Sequence, residues 1–307
     1  MIKPLSQVIS EPALPDLSAV EKALTWLKKT ISLPMPFGAL HLAFLAGILL
    51  SCVACLAVGK RVKRKHVNLV LFITASVLIF METVKQLYYA YNPAKNTWQY
   101  AWGEFPFQFC STPMYIMMLA ALCRKGKLYD ACTAFIATYG LFAGILVVIL
   151  VPSSVLVPDL FLSVHTLTYH SVMIIIPAFL YGTNTVKPQF NTLQKALPIF
   201  LCLVGMAMFM NALYARYGNP NHQFNMFFIS PKGNTPIGFV NNIIPKMSAF
   251  TIALCYTVIF TIAALLTLLF AMLVKLCLGK RLYEKANQQE QTQTEQEQKQ
   301  ELLTQNK

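Results

Sequence analysis

The stretch that decides the class of fold runs from Phe37 to Lys65 and reads FGALHLAFLAGILLSCVACLAVGKRVKRK. No residue before Lys60 in this stretch is charged, and an apolar run needs only about 20 residues to cross a bilayer as a helix. The basic run KRVKRK that closes the stretch is typical of the cytoplasmic end of such a helix. The stretch therefore predicts a transmembrane helix.

Similar apolar runs recur along the whole chain. Hydrophobic residues make up 56% and charged residues 12% of its 307 residues, whereas about a quarter of the residues of a soluble domain are charged. Seven runs are long enough to span a membrane, at positions 37–59, 67–91, 106–123, 129–151, 160–181, 192–214 and 246–276. We predict an all-α polytopic membrane helix bundle with about seven transmembrane helices.

The membrane domain is predicted to cover residues 37–276. Before it lies an N-terminal non-membrane segment, residues 1–36, and after it a polar Gln/Glu-rich tail, residues 277–307, which is expected to be disordered or partly helical. Lys and Arg are most frequent after the first, third and fifth runs and at the start of the tail. The positive-inside rule therefore places the N-terminus outside and the C-terminus in the cytoplasm.

Composition also excludes several kinds of site. The net charge of +13 is concentrated at the membrane edges, where topology and lipid headgroups explain it, so we predict no nucleic-acid binding. All eight cysteines lie in or at the edges of the runs, which argues against a disulfide framework. Only Glu82 is an acidic residue well inside a run, so a carboxylate-rich metal site lacks ligands, and we predict neither a metal nor another cofactor.

Polar and ionisable residues inside the spans are costly in lipid and often mark function. In this chain they share one depth, in the half of the membrane that is predicted to face outward. They are His41, Glu82, Lys85, Gln86, Gln108, Cys110, His165, His170 and Asn211. Each of them alone is well explained as an interhelical hydrogen bond, but together they predict a polar cavity open towards the outer leaflet.

Cys110 is the candidate nucleophile of this cavity. We expect Pro106 in the first turn of the third helix, which would place Cys110 near the positive end of that helix, where a thiolate is favoured. A histidine beside a cysteine completes the minimal pair for acyl transfer. His165 and His170 are about 140° apart around a helix, so only one is expected to face the cysteine, and depth favours His165.

Three motifs resemble a known family. They are FPFQFCS at 105–111, YHSVMIIIPAFLYG at 169–182 and NALYARYGNPNHQFNMFF at 211–228. In order and placement they resemble the YwaF-like bacterial integral membrane proteins and their animal relatives, the TMEM164-type proteins. The resemblance extends over most of the region from residue 36 to residue 276.

This resemblance implies phospholipid acyl transfer through a cysteine thioester. It assigns the nucleophile to Cys110 and the assisting histidine to His170 rather than to His165. Gln108 departs from the pattern, since bacterial relatives often have His at this position. A glutamine amide donates hydrogen bonds but exchanges no proton near neutral pH.

The predicted function is that of an integral membrane lipid acyltransferase or lipid-ester hydrolase, with membrane lipids as partners, in a bacterial cell membrane. Gln108 or Asn211 is expected to hold the oxyanion, and Glu82 to pair with Lys85 or to orient a histidine. Two alternatives stay open. One is an ion-coupled transporter that uses Glu82, Lys85 and the histidines as a relay, and the other is a non-enzymatic seven-helix membrane protein.

Overall fold

The computed structural model describes residues 17–219, 224–233, 235 and 241–305, with side chains up to residue 277. Residues 1–16 of the N-terminal segment, residues 306–307, and the side chains of the tail after residue 277 therefore lie outside the described part. Within the described part the chain forms α-helices and a single two-stranded antiparallel hairpin. The predicted all-α helix bundle is confirmed.

The helices follow the apolar runs closely. In chain order they are α1 (Ala19–Leu27), α2 (Ala39–Val58), α3 (Arg64–Ala90), α4 (Thr112–Cys123), α5 (Lys127–Phe135), α6 (Leu141–Ile145), α7 (Leu160–Gly182), α8 (Phe190–Tyr217) and α9 (Ala249–Gln305). The hairpin, β1 (Tyr91–Asn92) and β2 (Thr97–Trp98), follows α3. Six stretches are long and apolar enough to span a membrane: Ala39–Arg61, Arg64–Ala90, Lys127–Leu150, Leu160–Gly182, Phe190–Tyr217 and Ala249–Cys277.

The third predicted span is the exception. Its helix, α4, begins at Thr112 rather than at Pro106 and has only 12 residues, a length of about 18 Å. Pro113, not Pro106, occupies the first turn, where the missing N–H of proline costs no hydrogen bond. The expectation that Pro106 lies in the first turn of this helix was therefore wrong. Cys110 precedes the helix, in a turn closed by a 2.8 Å bond from the Ser111 N–H to the Gln108 carbonyl.

The span from Lys127 to Leu150 contains two π-helical segments, Ile136–Gly140 and Leu146–Leu150, on either side of α6. The Tyr181 hydroxyl of α7 donates a 2.8 Å hydrogen bond to the Ala137 carbonyl in the first segment. A side chain that inserts into the backbone ladder in this way is a known cause of helix distortion. The first segment also packs against α7.

The helix α7 contacts α2, α3 and α6. Glycines permit the closest of these contacts. A Cβ atom on Gly182 would collide with the Cys55 carbonyl of α2, and one on Gly59 would collide with the Gly182 backbone. On the other side, a Cβ on Gly144 would lie 2.9 Å from the His170 carbonyl oxygen. The histidine-bearing helix is therefore held by backbone contact from two sides.

Candidate functional site

The predicted site residues come from four parts of the fold. Glu82 and Lys85 lie in the last third of α3, and Gln108 and Cys110 in the turn before α4, while the histidines lie in the first half of α7 and Asn211 in the last third of α8. The contacts described below bring these parts together at one end of the bundle. The site residues fall into three sets: a charged group, a pair of amides, and two histidines with different surroundings.

The charged group is referred to here as the polar cluster and consists of Glu82, Lys85, Gln86, Glu104 and His165. The Lys85 ammonium lies 2.9 Å from one carboxylate oxygen of Glu82 and 3.8 Å from Glu104. The Gln86 amide donates to the same Glu82 oxygen at 2.8 Å and to the Glu104 backbone carbonyl at 2.6 Å. The expected ion pair between Glu82 and Lys85 is therefore present, and Glu82 is only 3% exposed.

Glu104 joins this cluster from outside the membrane-spanning segments and was not among the predicted site residues. Burial raises the pKa of its carboxyl above the ordinary value, against the lowering effect of the Lys85 cation, and the Glu82 carboxylate adds to the rise. In the sequence, only the position of Glu104 just before Pro106 suggests that it lies near the site. Its contact with Lys85 depends on the path of the chain between β2 and α4, which the sequence does not reveal.

His165 faces the free oxygen of Glu82. Its Nε2 atom lies 4.0 Å from that oxygen, which is an electrostatic contact but too long for a hydrogen bond. Within the described part of the chain, neither ring nitrogen has a hydrogen-bond partner, although the side chain is only 4% exposed. The imidazole stacks on the Tyr169 ring at 5.9 Å. Of the two histidines of α7, His165 is therefore the one that Glu82 approaches.

His170 has a different hydrogen-bonding pattern. Its Nδ1 atom lies 2.8 Å from the Thr166 carbonyl oxygen, and a carbonyl only accepts, so the neutral ring carries its proton on Nδ1. Its Nε2 atom is then an acceptor, and it is buried without a partner among the described residues. A neutral imidazole with a free acceptor nitrogen is the form that a general base requires.

The turn that carries Cys110 is joined to α7. The Tyr169 hydroxyl donates a 3.2 Å hydrogen bond to the carbonyl of Ser111, the next residue, and so ties the cysteine turn to α7. Burial raises the pKa of the Cys110 thiol above its ordinary value, with the Lys85 cation lowering that pKa and the Glu82 carboxylate raising it. Cys110 is half-buried and packs against the main hydrophobic core. No hydrogen bond joins the thiol to either histidine in the part of the chain that the structure describes.

Gln108 and Asn211 form an arrangement that the sequence did not predict, here called the amide clamp. Gln108 donates to the Asn225 carbonyl at 2.9 Å and accepts from the Phe227 N–H at 3.0 Å. Asn211 donates to the Met226 carbonyl at 2.9 Å and accepts from the Met226 N–H at 2.7 Å. The two side chains therefore bind three consecutive backbone units, as a neighbouring strand would.

The clamped turn needs such support because Phe227 has a φ of 58°, a left-handed conformation that is unfavourable for a bulky residue. Both amides thus use their oxygen and one N–H to hold this turn. This changes the expected oxyanion role of Gln108 and Asn211, since each amide keeps only one further hydrogen to donate. Residues 117 positions apart in the chain meet here, so local sequence patterns carry no signal for the arrangement.

His41, which shares the predicted depth, lies outside the polar cluster. It accepts a 2.9 Å bond from the Phe37 N–H, and its other ring nitrogen lies 2.8 Å from the Val148 carbonyl. One ring nitrogen therefore holds the backbone at the start of α2, and the other joins α2 to the π-helical segment after α6. For this residue, the interpretation as an interhelical hydrogen bond is the better one.

The described residues contain no group of three or more His, Cys, Asp or Glu side chains arranged to hold a metal ion. The side chains at this end of the bundle include a thiol, two imidazoles and a buried ion pair.

Comparison with protein families matches residues 36–274 to the TMEM164 family. Searches of curated proteins and of solved structures found no match. The matched region contains the six membrane-spanning stretches, except for the last residues of the sixth, together with every predicted site residue. The chain is thus an integral, multi-pass membrane protein, and it belongs to the TMEM164 family.

Proposed function

We propose that this protein is a lipid acyltransferase or lipid-ester hydrolase in which Cys110 is the nucleophile and His170 the general base. The single observation that carries the proposal concerns the Nε2 acceptor of His170, which is buried without a partner among the described residues. His170 lies on the helix that binds the Cys110 turn. A buried acceptor without a partner costs about 1 to 3 kcal/mol. Such a cost is commonly retained where the group has a chemical role.

A base is needed because the surroundings of Cys110 favour the neutral thiol. The side chain is half-buried and packs against the hydrophobic core, and apolar surroundings disfavour the thiolate. Since Cys110 lies before α4 rather than inside its first turn, stabilisation by the helix end alone is a weaker explanation. An imidazole that removes the thiol proton would generate the thiolate that this location does not favour by itself.

The proposed reaction has two half-reactions. In the first, His170 Nε2 accepts the thiol proton while Cys110 Sγ attacks the carbonyl carbon of a lipid ester. The tetrahedral intermediate collapses, the ester C–O bond breaks, and the leaving alcohol takes the proton from His170. In the second, an acceptor hydroxyl or water gives its proton to His170 and attacks the thioester, which releases the acyl product and returns the proton to Cys110.

Neighbouring residues would support these steps. Gln108 has one remaining amide hydrogen two residues from Cys110, and we assign it to the oxyanion. Asn211 supports the site indirectly, through the turn that it holds together with Gln108. His165 and the Glu82–Lys85 pair would adjust the charge around the thiol, with Glu82 facing His165.

The substrates in this proposal are phospholipids or other fatty-acyl esters of the surrounding membrane. On the resemblance to the YwaF-like proteins, we propose that this membrane is the surface membrane of a bacterial cell. The face of the bundle where the site lies is expected to be the outer one, on the distribution of Lys and Arg.

The test is covalent transfer of an alkyne-tagged acyl chain from a phospholipid to the purified protein in lipid vesicles. Cys110→Ala should abolish labelling, and His170→Ala should slow it by about 100-fold or more, the usual contribution of a general base. Cys123→Ala is the matched control, because Cys123 lies at the other end of α4, and it should label as wild type does. Circular dichroism should show all variants to be folded.

Three outcomes would contradict the proposal. Labelling that survives both Cys110→Ala and His170→Ala would remove the nucleophile and the base together. Loss of labelling in His165→Ala but not in His170→Ala would reverse the assignment of the histidines. Proton-coupled solute uptake that is lost in Glu82→Gln, in a protein that never labels, would favour the transporter.

A further inference from the structure

The segment before the first span packs onto the end of the bundle. Its helix α1 begins at a capping box, in which the Glu21 N–H donates to the Ser18 hydroxyl at 3.3 Å and the Ser18 N–H donates to the Glu21 carboxylate at 2.8 Å. Leu24 is 3% exposed and belongs to a cluster with Tyr88 and Tyr91. The segment is therefore a defined part of the fold, although the family match begins only at residue 36.

These contacts fix the depth of α1. Tyr88 lies in the last turn of α3, and Phe161, which joins the same cluster, lies in the first turn of α7. Further along the segment, the Ile31 N–H donates to the Pro158 carbonyl at 3.2 Å. All three partners lie where membrane-spanning helices begin or end. The helix α1 is therefore at the level of the membrane boundary.

The same segment exposes an unusual amount of large apolar surface. Five such side chains lie outside the membrane-spanning stretches and more than half exposed, namely Val20 at 52%, Trp26 at 76%, Leu33 at 61%, Met35 at 73% and Phe37 at 55%. Val20, Ala23 and Trp26 are three residues apart and share one face of α1. Phe37 lies two residues before α2 enters the membrane, so this surface is continuous with a transmembrane helix.

We propose that residues 18–37 lie in the headgroup layer of the membrane and bind its lipids through this apolar face. An amphipathic helix at this level buries its apolar face about 5 to 10 Å into the boundary between headgroups and acyl chains. Tryptophan favours that layer, because its ring is apolar and its N–H is polar. The exposed Lys22 and Lys29 of the same segment suit anionic headgroups.

Trp26 provides the probe. The full-length protein, which contains three tryptophans, is placed in vesicles made with phospholipids brominated near the headgroup or near the chain end. Subtracting the emission of the Trp26→Phe variant from that of the wild type isolates Trp26 from Trp98 and Trp102. The difference emission should lose at least about half of its intensity with the shallow bromines, and less with the deep ones, as expected for an interfacial side chain.

Two results would overturn the proposal. In one, brominated lipids leave the difference emission unchanged while aqueous iodide quenches it, which would place Trp26 in water. In the other, neither brominated lipid nor iodide quenches the difference emission at high protein density, but iodide quenches it after dilution into excess lipid. This result would mean that a second copy of the chain covers the apolar face of α1. Because the measurement detects no acyl transfer, its result is independent of the proposed enzyme activity.

Discussion

The amide clamp and the polar cluster lie at the same end of the bundle but differ in how fully their buried polar groups are hydrogen-bonded. In the clamp, Gln108 and Asn211 each make two hydrogen bonds of 2.7 to 3.0 Å to the backbone of one turn. In the cluster, Glu82 and Lys85 form a close pair, but both ring nitrogens of His165 have no hydrogen-bond partner among the described residues.

This difference distinguishes polar residues that hold the fold from polar residues that are available to react. A buried polar group that is fully hydrogen-bonded contributes to the shape of the protein, whereas one left without a partner costs free energy. His170 belongs with the second kind, since its Nε2 atom is buried and unpartnered. On this comparison, substitutions in the clamp should affect mainly stability, and substitutions of the histidines themselves mainly reactivity.

The largest effect on stability is expected for Asn211→Ala. It removes two hydrogen bonds in a buried turn, leaving the Met226 N–H without its partner and the Met226 carbonyl with the longer 3.4 Å bond from the Ile229 N–H. This should lower the free energy of unfolding by about 2 to 5 kcal/mol. Thermal unfolding in detergent, followed by circular dichroism, measures the loss. Asn68→Ala is the matched control, because the Asn68 amide makes only one bond, of 3.4 Å, to the Arg124 carbonyl. Lost acyl labelling with an unchanged melting temperature would contradict the structural role of Asn211.

The next effect concerns the buried ion pair. Glu82→Gln leaves Lys85 with its longer contact of 3.8 Å to Glu104, and Lys85→Met removes the cation that pairs with the buried Glu82 carboxylate. Each variant should cost about 2 to 4 kcal/mol, slightly less than for a fully buried pair, since the Lys85 side chain is 17% exposed. The double variant Glu82→Gln/Lys85→Met should cost less than the sum of the single variants, by about 1 to 3 kcal/mol. Thermal unfolding of all four proteins gives this coupling, and additive losses would show that the pair does not act as a unit.

The smallest effect is a pH dependence at the edge of the polar cluster. Burial raises the pKa of Glu104 above its ordinary value of 4.5. At pH values between 4.5 and this raised pKa, the folded protein therefore binds more protons than the unfolded chain. The contribution of Glu104 to stability therefore falls as pH rises through that window. Glu104→Gln should make the melting temperature less dependent on pH above 4.5.

Glu21→Gln is the control for this prediction. Hydrogen bonds from the Ser18 backbone, from Trp98 and from the Ser18 side chain lower the pKa of Glu21, so its window lies below the ordinary value. The variant should leave the pH dependence above 4.5 as in the wild type. A steeper fall of stability with pH in Glu104→Gln than in the wild type would reverse the sign argued here.

The bundle was predictable because its determinants are local. Apolar runs such as Phe37 to Gly59 specify membrane helices by length and composition, and the structure places their ends within a few residues of the predicted ones. The start of α4 was misplaced because Pro106 and Pro113 both suit a helix start, and only packing decides between them. Depth along the spans correctly grouped Glu82 with His165, since both positions follow from helical rise.

The amide clamp could not be predicted, because its information is not local. Gln108 looks like a catalytic residue when it is read beside Cys110, and its partners at Asn225 and Phe227 are more than a hundred residues away. The left-handed backbone at Phe227 has no sequence signal either, since such conformations normally favour glycine. The proton position on His170 likewise depends on the Thr166 carbonyl, which is visible only once α7 is built.

The backbone contact between Gly59 and Gly182 lies at the end of α2 and α7 opposite the site. It fixes α2 against α7 at this end, because neither glycine has a side chain that could rearrange. If α2 and α7 separate to admit the tail of the proposed lipid substrate, the separation has to begin at the other end, where His165 and His170 lie. For the proposed lipid substrate, which would diffuse within the bilayer, this contact restricts where the bundle can open.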